Sequence, residues 1–159
     1  MHIYGIGLPR TGTHSLSQAL VDLGFSSSHS CILEDTTEGV SHDDCMAIVD
    51  NGFYKNYQAL ISEDSRFILT TRAEKPWKES VEQFERTPED IPDIKKYERE
   101  VRGFCKQHNH PLLVLNVFTM KNSARLLCDF LQVPKKDYTF PHVTTALPSR
   151  WVSNFPWLT

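Results

Sequence analysis

Arg10, set between Pro9 and Thr11-Gly12-Thr13 and followed by His14 and Ser15, is the densest concentration of anion-binding chemistry in this 159-residue chain. A guanidinium is a permanent cation that forks onto oxyanions, and the hydroxyls of Thr11, Thr13 and Ser15 add donors. Gly7 and Gly12 let the backbone turn so that its N–H groups cradle an anion. A phosphorylated ligand is the expected occupant. A second pair of the same character lies further on, where Ser80 follows Arg72 by eight residues. Together they can meet a second anionic group of the same nucleotide.

These residues need elements to hold them. Ile3, Tyr4 and Ile6 form a short apolar run ahead of the glycine turn, and Leu16, Ala19, Leu20 and Leu23 then recur at helical spacing. Strand, glycine turn and helix is the layout of a phosphate loop whose helix N-terminus adds positive charge. Phe67-Ile68-Leu69-Thr70 reads as a buried strand ending at Arg72, with a helix beginning near residues 74–76. Residues just past the carboxyl ends of parallel strands face the ligand crevice. The nucleotide-hydrolase loop is G-x-x-x-x-G-K-[ST], its Lys on the outer phosphates and its hydroxyl on magnesium. Here Gly7 and Gly12 keep the spacing, but Thr13 stands at the lysine position and His14 at the hydroxyl position. That pattern suits a nucleotide whose phosphate is held rather than transferred, with no metal.

The two segments together resemble the sulfotransferase family, which uses 3′-phosphoadenosine 5′-phosphosulfate (PAPS) as donor and releases 3′,5′-adenosine bisphosphate (PAP). PRTGTHSL is similar to that family's P-[KR]-[ST]-G-T loop, and Arg72 with Ser80 is similar to its 3′-phosphate clamp. LLVLNV, FLQVP and FPHV in residues 112–143 resemble the ending of small bacterial-type members, so the likeness runs from residue 3 to about residue 143. The resemblance implies that Pro9, Arg10, Thr11, Gly12, Thr13, His14 and Ser15 hold the 5′-phosphosulfate. It implies that Arg72 and Ser80 hold the 3′-phosphate, with Arg150 as a third contact. It also implies a base between the loop helix and the clamp strand. Asp50, 22 residues before Arg72, takes that place, with His42 and His29 as rivals. Arg10 is then an electrostatic catalyst and not a proton donor. Trp77, Tyr138, Phe140 and Trp151 are candidates to stack on adenine. The chain departs from many cytosolic relatives in lacking their R-K-G element and in being much shorter, which leaves the Arg150 contact and the acceptor site less defined.

The rest of the sequence sets bounds. Chain length allows one core that buries roughly 70% of the unfolded surface. Hydrophobic and charged contents of 40% and 23% are those of a globular protein, and a net charge of −3 argues against nucleic-acid binding. No run approaches a membrane span, and the MHIYGIG start is unlike a signal peptide, so a cytoplasmic setting is expected. Cys31, Cys45, Cys105 and Cys128 lack metal-ligand spacing, which predicts reduced thiols, although a Cys31–Cys45 bridge stays open. Alternating elements predict an α/β, three-layer P-loop-type fold with a parallel sheet of about four or five strands and helices on both faces. Residues 1–159 are expected to be one domain, with a core over 1–137 and an irregular tail over 138–159. Helices are expected over 43–49, 53–61, 93–107 and 121–131, and a serine-rich strand over 25–31. The expected activity is sulfuryl transfer to a hydroxyl or amine of a small-molecule or carbohydrate acceptor, at an open site compatible with a homo-oligomer. A P-loop kinase or NTPase and a non-catalytic nucleotide-binding module are the alternatives.

Overall fold

The computed structural model describes residues 1–29, 47–49, 52–83, 91–134 and 139–143. Its elements in chain order are β1 (His2–Gly5), α1 (Thr13–Asp22), β2 (Ser27–His29), β3 (Ala47–Val49), β4 (Ser65–Thr70), α2 (Glu74–Gln83), α3 (Ile94–Gln107), β5 (Leu112–Leu115) and α4 (Ser123–Leu131). The strands form one sheet in the order β2-β3-β1-β4-β5, with every neighbouring pair parallel. The α/β architecture expected from the sequence is the one observed.

The two-residue period of the strands sorts their side chains to the two faces. Ile68 of β4 packs with Ile3, Leu115 and the apolar sides of α1 and α4. Its neighbours Phe67 and Leu69 face the other way, onto Trp77 and Val81 of α2 and Tyr97, Val101 and Cys105 of α3. Burial on both faces explains why β4 reads as a continuous apolar run and not as an alternating one. The helix ends follow local chemistry. Asp93 caps α3 by accepting the Lys96 N–H at 2.9 Å. Past α1, the Phe25 N–H bonds the Leu20 carbonyl and the Gly24 N–H bonds that of Val21, with Gly24 at φ 91°. That is a Schellman ending, which requires the left-handed conformation glycine adopts without strain.

Two expected helices are corrected. Within 43–49 the described residues Ala47–Val49 are a strand, paired to both β1 and β2. A segment inserted between two strands gains ladder bonds on both sides, and that gain overrides helical spacing. Within 53–61 the chain makes two separate 3-10 turns, Phe53–Lys55 and Tyr57–Leu60. Asn56, at φ −146°, interrupts them, yet Phe53 and Tyr57 are still buried. The helix expected over 121–131 starts at Ser123, and the serine-rich strand is confined to Ser27–His29. Cys105 and Cys128 are buried free thiols. Cys31 and Cys45 lie outside the described residues, as does the tail apart from 139–143.

From β1 the chain fills one side of the sheet (β2 and β3) and then crosses back to build the other (β4 and β5). The direction of winding therefore reverses between β1 and β4, and it is at such a reversal, beyond the carboxyl ends of the strands, that open α/β sheets place their ligand crevice. The loop carrying Arg10 leaves β1 at that point, and Arg72 follows β4 there.

Candidate functional site

The loop from Ile6 to Gly12 is shaped by what its carbonyls bind. Tyr97 Oη donates to the Ile6 carbonyl at 2.7 Å, and Thr11 Oγ1 to that of Leu8 at 2.6 Å. Trp77 Nε1 donates to the Pro9 carbonyl at 2.9 Å, and Arg72 Nη1 to that of Arg10 at 3.3 Å. In a trans peptide the N–H points opposite to the preceding carbonyl. Tying the Pro9 and Arg10 carbonyls to protein therefore turns the Arg10 and Thr11 N–H groups away from α2 and Arg72. The phenol of Tyr97 is a dependable donor, because burial pushes its pKa far above the ordinary value.

Glycine is required twice. A β-carbon on Gly7 would collide with Thr70 Oγ1, and one on Gly12, which sits at φ 96°, would collide with Val117. Gly12 is also the N-cap of α1 and supplies no side-chain cap, so the helix opens towards the crevice with only its backbone dipole. Arg10 itself has a positive φ of 68°. This left-handed conformation disfavours a residue with a β-carbon and recurs in anion-binding turns.

Arg10, Arg72 and Ser80 converge. Arg10 Nε donates to Ser80 Oγ at 3.1 Å while Arg72 reaches the Arg10 carbonyl. The sequence pairs Ser80 with Arg72, whereas in the structure the Ser80 hydroxyl accepts from Arg10, so the three side chains form one cluster. Burial and the adjacent Arg10 charge lower the pKa of Arg72. Two guanidiniums meet at the carboxyl ends of β1 and β4, which concentrates positive charge there.

Other expected donors are placed differently. Thr11 Oγ1 is buried and gives its proton to Leu8, so the Thr70 hydroxyl, 2.7 Å away, must donate to Thr11. Thr11 therefore braces the loop with its side chain and can serve an anion only through its backbone. Ser15 Oγ accepts the Val143 N–H at 3.0 Å, which ties the 139–143 segment to α1. His14 is half-buried, and burial first and Arg10 second hold its pKa below 6.5. Of the adenine candidates, Trp77 is a core residue packed under the loop, and Phe140 packs on the α1 and α4 face. Tyr138, Trp151, Arg150, Asp50 and His42 lie outside the described residues. His29 ends β2 in register with Val49, which puts its backbone at the carboxyl edge of the sheet.

The sequence reading missed Phe118 and Glu98. Phe118 stands just past β5, and the Arg72 guanidinium lies over its ring with Cζ 4.2 Å from the centroid. The rule that picked out Arg72, a residue beyond a strand's carboxyl end, applied equally to Phe118. Glu98 of α3 accepts from Thr71 Oγ1 at 3.1 Å and pairs with Arg102 at 2.8 Å. A hollow of about 300 Å³ opens beside Phe118, bounded also by Met120, Lys121, Thr139 and Phe140. Among the described residues no group of three or more His, Cys, Asp or Glu side chains is arranged to hold a metal ion, and no helix is long and apolar enough to cross a membrane.

A family model described as a sulfotransferase domain matches residues 2–59, the stretch that holds β1, the Arg10 loop, α1, β2 and β3. The match agrees with the resemblance drawn from the loop and extends over about the first third of the chain. No curated protein matches the chain.

Proposed function

We propose, from the sulfotransferase domain at residues 2–59, that this chain moves the sulfuryl group of PAPS to a hydroxyl or amine of a small-molecule or carbohydrate acceptor. The observation that carries the reading is the meeting of Arg10, Arg72 and Ser80 at the carboxyl ends of β1 and β4. A donor with charged groups at both its 5′ and 3′ positions fits two guanidiniums held side by side better than a ligand with one.

When bound, PAPS supplies an activated sulfuryl group whose bridging bond to the 5′-phosphate breaks as the acceptor attacks sulfur in line. The protein's part is electrostatic. Arg10 and the backbone N–H groups of the loop are fixed before the reaction, so they stabilise growing phosphate charge without reorganising. In this reading Pro9, Thr11 and Gly12 shape the 5′ site, while Thr13, His14 and Ser15 line its helix side. Arg72 faces the 3′-phosphate, with Ser80 steadying Arg10 and Arg150 as a further contact. Asp50 is the base we assign to the acceptor, with His42 and His29 as rivals, and no metal takes part. Buried free thiols at Cys105 and Cys128 favour a reducing, cytoplasmic setting.

The test is a thermal shift with PAP beside 5′-AMP and Mg·ATP, followed by turnover with labelled PAPS. A shift that requires the bisphosphate, together with label transfer that Arg10→Ala abolishes, supports the proposal. A shift with Mg·ATP alone overturns it in favour of a kinase. Binding of PAP without transfer to any acceptor class makes the chain a nucleotide-binding module.

A further inference from the structure

We propose that Phe118 is a positioning residue that aims Arg72, and thereby sets the preference for a nucleotide bearing a 3′-phosphate; this rests on the donor reading above. The Arg72 guanidinium lies over the Phe118 ring at 4.2 Å, within the range of a cation–π contact. The same guanidinium donates to the Arg10 carbonyl, so ring and loop together fix its position. An unsupported arginine is a long chain with many rotamers, and ordering it on a ligand costs affinity. A stack formed beforehand removes part of that cost.

Phe118 is itself held in place. The Asn116 side chain accepts the Phe118 N–H through Oδ1 at 3.2 Å, while the Asn116 carbonyl accepts those of Thr119 and Met120 at 3.3 and 2.9 Å. This tight turn leaves β5 beside the start of α1, close enough that a β-carbon on Gly12 would meet both Val117 and Phe118. Phe118 is 37% exposed, and the His142 ring lies 5.7 Å from its ring on a tilted plane. A half-covered phenyl carrying an arginine at the mouth of an anion site serves the arginine more than the core.

The experiment compares Kd for PAP and for 5′-AMP in the wild type, Phe118→Leu, Phe118→Tyr and, as a control, Arg72→Ala. Leucine keeps the apolar bulk and removes the ring face. The preference for PAP over 5′-AMP is expected to drop about tenfold in Phe118→Leu, the scale of one partly desolvated cation–π contact, and to return in Phe118→Tyr. Arg72→Ala should lose the preference altogether. An unchanged ratio in Phe118→Leu, or equal weakening of both ligands, overturns the proposal. A wild type without any preference for PAP removes the donor reading and this inference with it. The two failures are told apart in ligand-free protein by the ring-current shift of the Arg72 side-chain protons. If that shift is present and is lost in Phe118→Leu, the stack is real and the donor reading is at fault.

Discussion

Arg10 holds a backbone conformation that costs a residue with a β-carbon roughly 1–2 kcal/mol relative to relaxed helix or strand. Glycine would adopt it without that strain, so the arginine is kept for its side chain. Arg10→Gly is expected to be about 1 kcal/mol more stable to urea than Arg10→Ala, while both lose turnover by roughly a hundredfold or more. If the alanine variant proves the more stable, the strain is not real. Histidine sets the acid side of the stability profile. Burial and Arg10 hold His14 below 6.5, and burial, Arg66 and His108 do the same to His110. The unfolded chain therefore binds more protons than the folded one between the folded values and 6.5. Stability from these groups is complete above about pH 6.5 and is lost as the pH falls through the folded values. The wild-type Tm should consequently drop more between about pH 7.5 and about pH 5.5 than that of His14→Gln. Equal drops would mean that His14 contributes nothing. At this scale the sequence was informative about charge and silent about geometry. The sequence singled out Arg10, Arg72 and Ser80, and they do meet, but nothing in their spacing said that Ser80 would turn to Arg10.

The loop keeps its form because the elements around it take up its carbonyls, and Tyr97 of α3 makes the most buried of these contacts. Tyr97→Phe leaves the Ile6 carbonyl without its donor and should cost about 1–3 kcal/mol in denaturant unfolding. A loss below about 0.5 kcal/mol would mean that the phenol is not needed there. The elements themselves were legible wherever periodicity ran long enough. β4, α2 and α3 read correctly, from the apolar run over 67–70, the helix start near residues 74–76 and the helix expected over 93–107. The failures were short. Phe53, Tyr57 and Leu60 fit an α-helix and a 3-10 turn equally over so few residues, and Ala47–Val49 becomes a strand only because β1 and β2 lie on either side. Phe118 escaped notice because a phenylalanine after a strand has no anion chemistry of its own. What singles it out is its contact with an arginine that follows another strand.

Across the whole molecule, the crevice draws on the loop after β1, the segment after β4 and the turn after β5, so a ligand there joins both halves of the sheet. PAP at about a hundred times its Kd should add about 2.7 kcal/mol and raise Tm by roughly 5–10 °C for a chain of this size. A shift below about 2 °C at that saturation would show that the nucleotide also binds the unfolded chain or does not occupy the crevice. The fold class was legible at this scale from the alternation of strands and helices, which admits few topologies. The strand order was not, because it depends on which face of the sheet each connecting helix covers, α1 between β1 and β2 and α2 and α3 between β4 and β5. The Arg10 loop lies early in the chain, but Tyr97, Trp77 and Arg72, which take up its carbonyls, all come after residue 59. A truncated peptide or a graft of the first sixty residues onto another scaffold would carry the motif's letters without its shape. The shape of this loop belongs to the finished fold and cannot be cut out with its sequence.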